Sequence, residues 1–68
     1  MPVIHLTDRE QEVLKWAALG KTRIDIGEIM CLSEHTIDTH IRRAMRKLDA
    51  NNITMAAFRA LHMGLIQS

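Results

Sequence analysis

The sequence predicts an all-α domain of four helices that contains a helix-turn-helix. Apolar residues recur with helical spacing in four segments, and helix-capping residues precede these segments. Only Cys31 and Leu32 separate the second segment from Ser33, the expected start of the third. Two helices joined by so short a turn must cross at a large angle, which is the geometry of a helix-turn-helix. No segment shows the alternation of apolar and polar residues that is typical of a β-strand.

The length of 68 residues predicts one small domain over residues 1–68. A single cysteine, Cys31, allows no internal disulfide, so packing alone must hold the fold, as suits a reducing compartment. No apolar run approaches the roughly 20 residues of a membrane span. We therefore expect a soluble, cytoplasmic protein that makes no membrane contact.

Capping patterns mark the first two helices. Thr7 followed by Glu10 forms a capping box, and Gly20 can take the left-handed conformation that ends a helix. The first helix is therefore predicted over residues 8–19. Thr22 can cap the second helix, which is predicted over residues 23–30.

The third helix, predicted over residues 34–48, is apolar along one side only. Ser33 is its expected N-cap. At 100° per residue, five apolar side chains form one stripe; they are Ile37, Ile41, Ala44, Met45 and Leu48. Because this stripe belongs in a core, the opposite side is available to a partner.

The fourth helix is predicted over residues 55–63, with Thr54 as its N-cap and Gly64 at its end. The side chains expected to face the core are Ala56, Ala60 and Met63. The other apolar side chains form a second, partly exposed patch: Ala57, Phe58 and Leu61. We expect this patch to be a homodimer interface, the alternative being an extension of the core.

Charge is distributed unevenly along the chain, although the net charge is only +1. Residues 1–34 contain four basic and six acidic side chains, whereas residues 35–68 contain five basic and two acidic ones. Four of those five basic side chains lie on the third helix. A polyanion would therefore meet a positive field on this helix.

An α-helix fits the major groove of DNA, and the second helix of a helix-turn-helix is the one that enters it. The polar side opposite the apolar stripe contains four candidates for base contacts: His35, Asp38, Thr39 and Arg42. Arg42 is the candidate for guanine, because its guanidinium can donate to O6 and N7 together, for about 1–3 kcal/mol of discrimination. Asp38 either accepts from a cytosine amine or holds the Arg42 guanidinium in position.

A neighbouring row on the third helix is suited to phosphates, which fix register without specifying sequence. It consists of Thr36, His40, Arg43, Arg46 and Lys47. His40 is equally compatible with filling the edge of the helix packing. Thr22 and Arg23 add backbone amides and a positive charge at the start of the second helix.

The run from Leu6 to Ile66 resembles the LuxR-type helix-turn-helix domain, which terminates bacterial quorum-sensing activators and many two-component response regulators. The matching segments are LTDREQEVL at 6–14, GKT at 20–22, LSEHTIDTHI at 32–41, KL at 47–48 and GLI at 64–66. Trp16, together with GKT and DIGEI, is more similar to the autoinducer-binding branch, in which a sensory domain normally precedes this one. The chain is then either a fragment or a stand-alone relative.

The resemblance also implies roles for individual residues. It implies base contacts at Asp38, Thr39 and Arg42, and dimerisation through the last helix. Phosphate contacts are implied for Thr22, Ser33, Thr36, His40 and Lys47.

Four positions depart from the family pattern. Cys31 stands at a turn position where the family often has Gly, and Gly27 replaces the usual Ala at the helix crossing. Each departure is expected to cost about 1 kcal/mol, the first through a left-handed backbone and the second through helix propensity. Ile24 and Ile53 stand where many members have Lys and Arg.

Two other functions are compatible with the same basic helix. One is a protein-interaction module that binds an acidic partner, such as subunits of RNA polymerase, and the other is the output domain of a response regulator. An enzyme is not expected, because the sequence shows no nucleophile constellation or phosphate-binding loop. His35 and His40 lie about 140° apart on the helix, so no shared metal or other cofactor is predicted.

Overall fold

The computed structural model describes residues 3–67. This part of the chain forms α1 (Asp8–Ala18), α2 (Arg23–Met30), α3 (Glu34–Leu48) and α4 (Ile53–His62). The predicted all-α, four-helix class is confirmed, and the bounds of α2 and α3 are those predicted. Within residues 3–67, no helix has the length and apolar character needed to cross a membrane.

Side-chain caps start all four helices. Thr7 and Thr22 each form a capping box, with Glu10 and Asp25 as the reciprocal partners. The Ser33 hydroxyl accepts from the Thr36 amide at 3.1 Å. These contacts satisfy amides that have no partner inside the helix, and they fix where each helix begins.

The start of α4 differs from the prediction. Asn52, not Thr54, is the N-cap, because its Oδ1 accepts from the Met55 amide at 2.8 Å. The helix therefore begins at Ile53, two residues earlier than predicted, and ends at His62. A sequence with two good caps in one turn does not show which of them the backbone uses.

Each helix ends in a left-handed residue followed by an amide that donates to the carbonyl five residues earlier. The left-handed residues are Gly20, Cys31, Asp49 and Gly64. The bonds are Lys21 to Trp16, Leu32 to Gly27, Ala50 to Met45 and Leu65 to Ala60. This is the Schellman motif, and it reverses the chain sharply after every helix.

The core consists of two clusters that share α3. The α1–α2–α3 cluster contains Val13, Ile26, Met30, Ile37 and Ile41. The α1–α3–α4 cluster contains Leu6, Leu14, Ala44, Leu48, Ala56, Ala57, Ala60 and Ile66. The predicted stripe of α3 is thus buried along its length, with Met45 half-buried and packed against both clusters. Since the apolar side of α3 packs into both clusters, its polar side must face away from the core.

Two predictions for α4 are wrong. Ala57 is buried, at 3% exposure, so it belongs to the core and not to an exposed patch. Met63 is 50% exposed and does not fill the core. Ile66, which follows the Gly64 turn and is 6% exposed, closes that end of the cluster instead.

The close crossing of α2 and the turn depends on Gly27. A β-carbon at this position would lie 2.8 Å from the backbone oxygen of Leu32 and 3.8 Å from a side-chain carbon of Ile37. The lost helix propensity therefore has a structural reason, since an alanine would force the turn away from α2.

Candidate nucleic-acid interface

The polar side of α3 is accessible along the whole helix. His35, Arg42, Arg43, Arg46 and Lys47 are exposed. Thr36, Asp38, Thr39 and His40 are half-buried at the edges of the helix packing. Every candidate predicted on this helix therefore reaches the surface of one face.

The helix-turn-helix geometry of α2 and α3 is fixed by local contacts. The Leu32 amide donates to the Gly27 carbonyl at 2.9 Å across the turn. Cys31 has φ of 57°, which an L-residue adopts at a cost of about 1–2 kcal/mol. The turn brings the N-terminus of α2 against the first turns of α3, so that Arg23 and Asp38 meet.

At the N-terminus of α2, Thr22 and Asp25 form a closed pair. The Thr22 hydroxyl accepts from the Asp25 amide, and Asp25 Oδ2 accepts from the Thr22 amide, both at 3.2 Å. Hydrogen bonds from the backbone and side chain of Thr22 hold the pKa of Asp25 below its ordinary value. The predicted phosphate contact of Thr22 would thus come from a hydroxyl that already caps the helix.

Asp38 lies between two arginines that belong to different helices. Its Oδ1 is 3.2 Å from Arg23 Nε on α2, and its Oδ2 is 2.9 Å from Arg42 Nε one turn along α3. The Asp38 side chain is 26% exposed, whereas that of Arg42 is 76% exposed. Of the two roles predicted for Asp38, the free chain adopts the one in which it holds the Arg42 guanidinium.

Thr39 is tied to its own helix. Its hydroxyl donates to the carbonyl of His35 at 3.1 Å. The proton is therefore engaged, and what Thr39 can offer a base edge is an acceptor lone pair or its methyl group.

The Ser33 and Thr36 hydroxyls lie 2.9 Å apart at the start of α3. One of them donates to the other, which leaves one hydroxyl proton for an external acceptor such as a phosphate oxygen. Both residues also lie at the positive end of the helix dipole, where an anion is favoured.

Lys47, predicted to contact phosphate, is engaged inside the chain. Its Nζ lies 2.7 Å from Oε1 of Glu10, a residue that is 1% exposed. Burial alone would raise the pKa of Glu10, but hydrogen bonds from Lys47 and from the Thr7 amide outweigh it and leave the pKa below its ordinary value. Arg43 and Arg46, by contrast, form no ion pair within the described part of the chain. They are the more available cations of the row.

The apolar surface of α4 is smaller than predicted. Phe58 is 71% exposed, and Leu61 is half-buried against the α1–α3–α4 cluster. With Ala57 inside the core, Phe58 is the main apolar group that α4 presents.

Three contacts around the site are not evident from the sequence. Arg23, predicted to contact phosphate, pairs with Asp38, and Lys47 pairs with Glu10. In the third, Nη1 of Arg59 donates to the Leu48 carbonyl at 3.0 Å and so secures the end of α3. Spacing along one helix indicates only the Asp38 and Arg42 pair; the others depend on how helices pack.

Comparison with known proteins places this geometry in a family. Residues 5–60 match the profile of "Bacterial regulatory proteins, luxR family". The HTH-type quorum sensing-dependent transcriptional regulator RpaR of Rhodopseudomonas palustris is 52% identical over 62 residues, which cover 91% of this chain and 26% of that protein. This chain thus spans about a quarter of the length of the curated relatives that it matches.

Solved structures give the same result. A crystal structure of Escherichia coli SdiA matches with a TM-score of 0.90 and 37% identity, over 100% of this chain and 29% of that chain. The transcription factor GerE matches with a TM-score of 0.84 and 27% identity, over 91% of this chain and 92% of that chain. From its profile match, its relatives and its fold, this chain belongs to the luxR family of bacterial regulatory proteins.

Proposed function

We propose that this domain regulates transcription by binding double-stranded DNA sequence-specifically, with α3 in the major groove. The supporting observation is the division of α3 into two sides. Its apolar stripe is buried in both core clusters, and its opposite side presents exposed basic side chains. The turn fixed by Gly27 and Cys31 presents this helix beside the N-terminus of α2, as docking in a groove requires.

The contacts divide into two kinds. Arg42 donates to guanine through its guanidinium, and Thr39 and His35 lie beside it for further base contacts. Arg43 and Arg46, which are exposed and unpaired within residues 3–67, bind phosphates. Ser33, Thr36 and His40 supply hydroxyl and imidazole groups to the same backbone.

The biological setting follows from the relatives. RpaR is a quorum sensing-dependent transcriptional regulator, and AnoR of Acinetobacter nosocomialis, 43% identical over 63 residues, is a transcriptional activator protein. We infer that this chain is the DNA-binding part of a cytoplasmic quorum-sensing regulator. Because the match covers 26% of either relative, we propose DNA binding, and not signal sensing, for the residues described.

A homodimer on a two-fold site is the proposed assembly. Phe58, exposed on α4, supplies an apolar contact to a second copy. Two copies of α3 would then meet half-sites about one helical turn of DNA apart.

Selection of bound sequences from random duplex DNA tests this function. We expect a palindromic motif, and we expect Arg42→Ala to relax preference at one base pair per half-site by about 5- to 150-fold, the equivalent of about 1–3 kcal/mol. An Arg42→Ala variant that binds every sequence more weakly by the same factor would contradict the base contact. Wild-type protein that selects no sequence, yet binds an acidic protein, would instead support the interaction-module alternative.

A further inference from the structure

The geometry points to Arg23 as a specificity-determining positioning residue, which acts through Asp38 to hold Arg42 for guanine. This inference rests on the proposed function and changes two roles that the sequence predicts. Arg23 becomes a positioning group in place of a phosphate contact, and Asp38 becomes its connector in place of a base contact.

The first support is that each Asp38 oxygen has its own arginine. Oδ1 is 3.2 Å from Arg23 Nε, and Oδ2 is 2.9 Å from Arg42 Nε. Both oxygens of Asp38 are therefore already paired with a cation before DNA arrives. A cytosine amine, as a neutral donor, would add a weaker interaction than either of these charged contacts.

The second support is the place of Arg23 in its helix. It is the first residue of α2, where the helix dipole is positive and a cation is disfavoured. The carboxylate of Asp38 offsets this repulsion. Because the Arg23 side chain is 47% exposed, it would be held less firmly against the protein without this ion pair.

The third support is what remains free on Arg42. The contact with Asp38 uses Nε, so both terminal nitrogens are left to donate to O6 and N7 of guanine. An arginine that is held before binding loses less rotamer freedom on binding. Asp38 holds the Arg42 side chain in place, and Arg23 keeps the Asp38 side chain from rotating away from Arg42.

The experiment combines sequence selection with salt dependence, for Arg23→Met, Asp38→Asn, their double variant and Arg42→Ala. We expect Arg23→Met and Asp38→Asn to relax the same base pair as Arg42→Ala, by about two- to fivefold, the range of an exposed ion pair. The double variant should lose no more than Asp38→Asn alone, because both act through one carboxylate. Arg23→Lys, which keeps a cation, should retain most of the preference.

Arg43→Met serves as the matched control for a phosphate contact. It should weaken all sequences equally and reduce the salt slope by about one, whereas Arg23→Met should leave the slope unchanged. Thermal melts followed by circular dichroism confirm that each variant is folded.

Different failures are distinguishable. If Arg23→Met behaves like Arg43→Met, Arg23 binds phosphate and the inference is wrong. If Asp38→Asn changes preference at a different base pair from Arg42→Ala, Asp38 contacts its own base and the inference is again wrong. If the wild type selects no sequence, the proposed function fails and the inference fails with it.

Discussion

Lys47 Nζ lies 2.7 Å from Oε1 of Glu10, and this contact joins the end of α3 to the start of α1. The same oxygen accepts from the Thr7 amide at 2.9 Å. Glu10 thus caps one helix and anchors another, although it is 1% exposed and would be costly to bury alone. The helix that presents Arg42 is therefore fixed at its far end by a charge pair.

Replacing Lys47 by methionine should lower the free energy of unfolding by about 2 kcal/mol, between the values for exposed and buried pairs, because Glu10 would lose its cation. The Lys47 side chain is 36% exposed, which keeps the cost below that of a fully buried pair. Urea denaturation measures it. Arg43→Met, which removes an exposed and unpaired cation, should change stability by less than about 0.5 kcal/mol. Equal losses in the two variants would contradict a specific role for the pair.

Acid should remove the contribution of Glu10 to stability. The folded-state pKa of Glu10 lies below its ordinary value of 4.5, so the unfolded chain takes up the proton first as pH falls. The contribution is complete above the unfolded pKa and is lost as pH falls through the folded pKa. We expect the stability difference between wild type and Glu10→Gln to be constant from neutral pH down to about the ordinary pKa of 4.5 and to shrink below it. A difference that stays constant in stronger acid would contradict this linkage.

Cys31→Gly should stabilise the domain by about 1 kcal/mol, because glycine adopts the left-handed conformation without the cost of a β-carbon. The observed φ of 57° supports this expectation. Chemical denaturation gives the change, and Cys31→Ala is the matched control. Alanine removes the thiol but keeps the β-carbon, so it should produce none of the gain; a gain from alanine would point to the thiol as the source of strain.

Much of the fold was predictable because its signals are local. Capping residues and the spacing of Ile37, Ile41 and Leu48 define α2 and α3 without knowledge of the rest of the chain. Local signals failed at α4, where Asn52 and Thr54 are both good caps. They also failed for Ala57, since the small alanines of α4 pack closely on two sides and the helix has no wide polar face to show which side is buried.

The residues that form the site could be predicted from the sequence, but not all of the contacts between them. The positions of Asp38 and Arg42 one turn apart indicate an ion pair directly from the sequence. The contact between Arg23 and Asp38 crosses the turn, and its existence depends on how closely α2 approaches α3. Gly27 allows this close approach, because a β-carbon there would lie 2.8 Å from the Leu32 oxygen. From the sequence alone, Gly27 predicts only a loss of helix propensity.

Gly27→Ala should therefore destabilise the domain, although alanine is the better helix former. The gain in propensity is about 1 kcal/mol, whereas overpacking against a backbone atom costs about 1–3 kcal/mol, so a net loss of about 1 kcal/mol is expected. The added β-carbon would lie 2.8 Å from the Leu32 oxygen, and the backbone must shift to relieve this contact. Thermal melting measures the loss. A higher melting temperature would show that the backbone of the turn shifts at little cost, which would contradict the prediction.

Phe58→Ser should weaken association of two copies without unfolding either. Phe58 is 71% exposed, so its removal should change the stability of one copy by less than about 0.5 kcal/mol. An aromatic group at the centre of an interface can contribute about 2 kcal/mol or more to binding, which is about thirtyfold in affinity. Sedimentation on a duplex with two half-sites measures the effect. Ala57→Ser is the matched control, because Ala57 is buried and this change should lower stability without a direct effect on the contact. If Phe58→Ser binds the duplex as a dimer with wild-type affinity, the two copies associate through another surface or bind the half-sites independently.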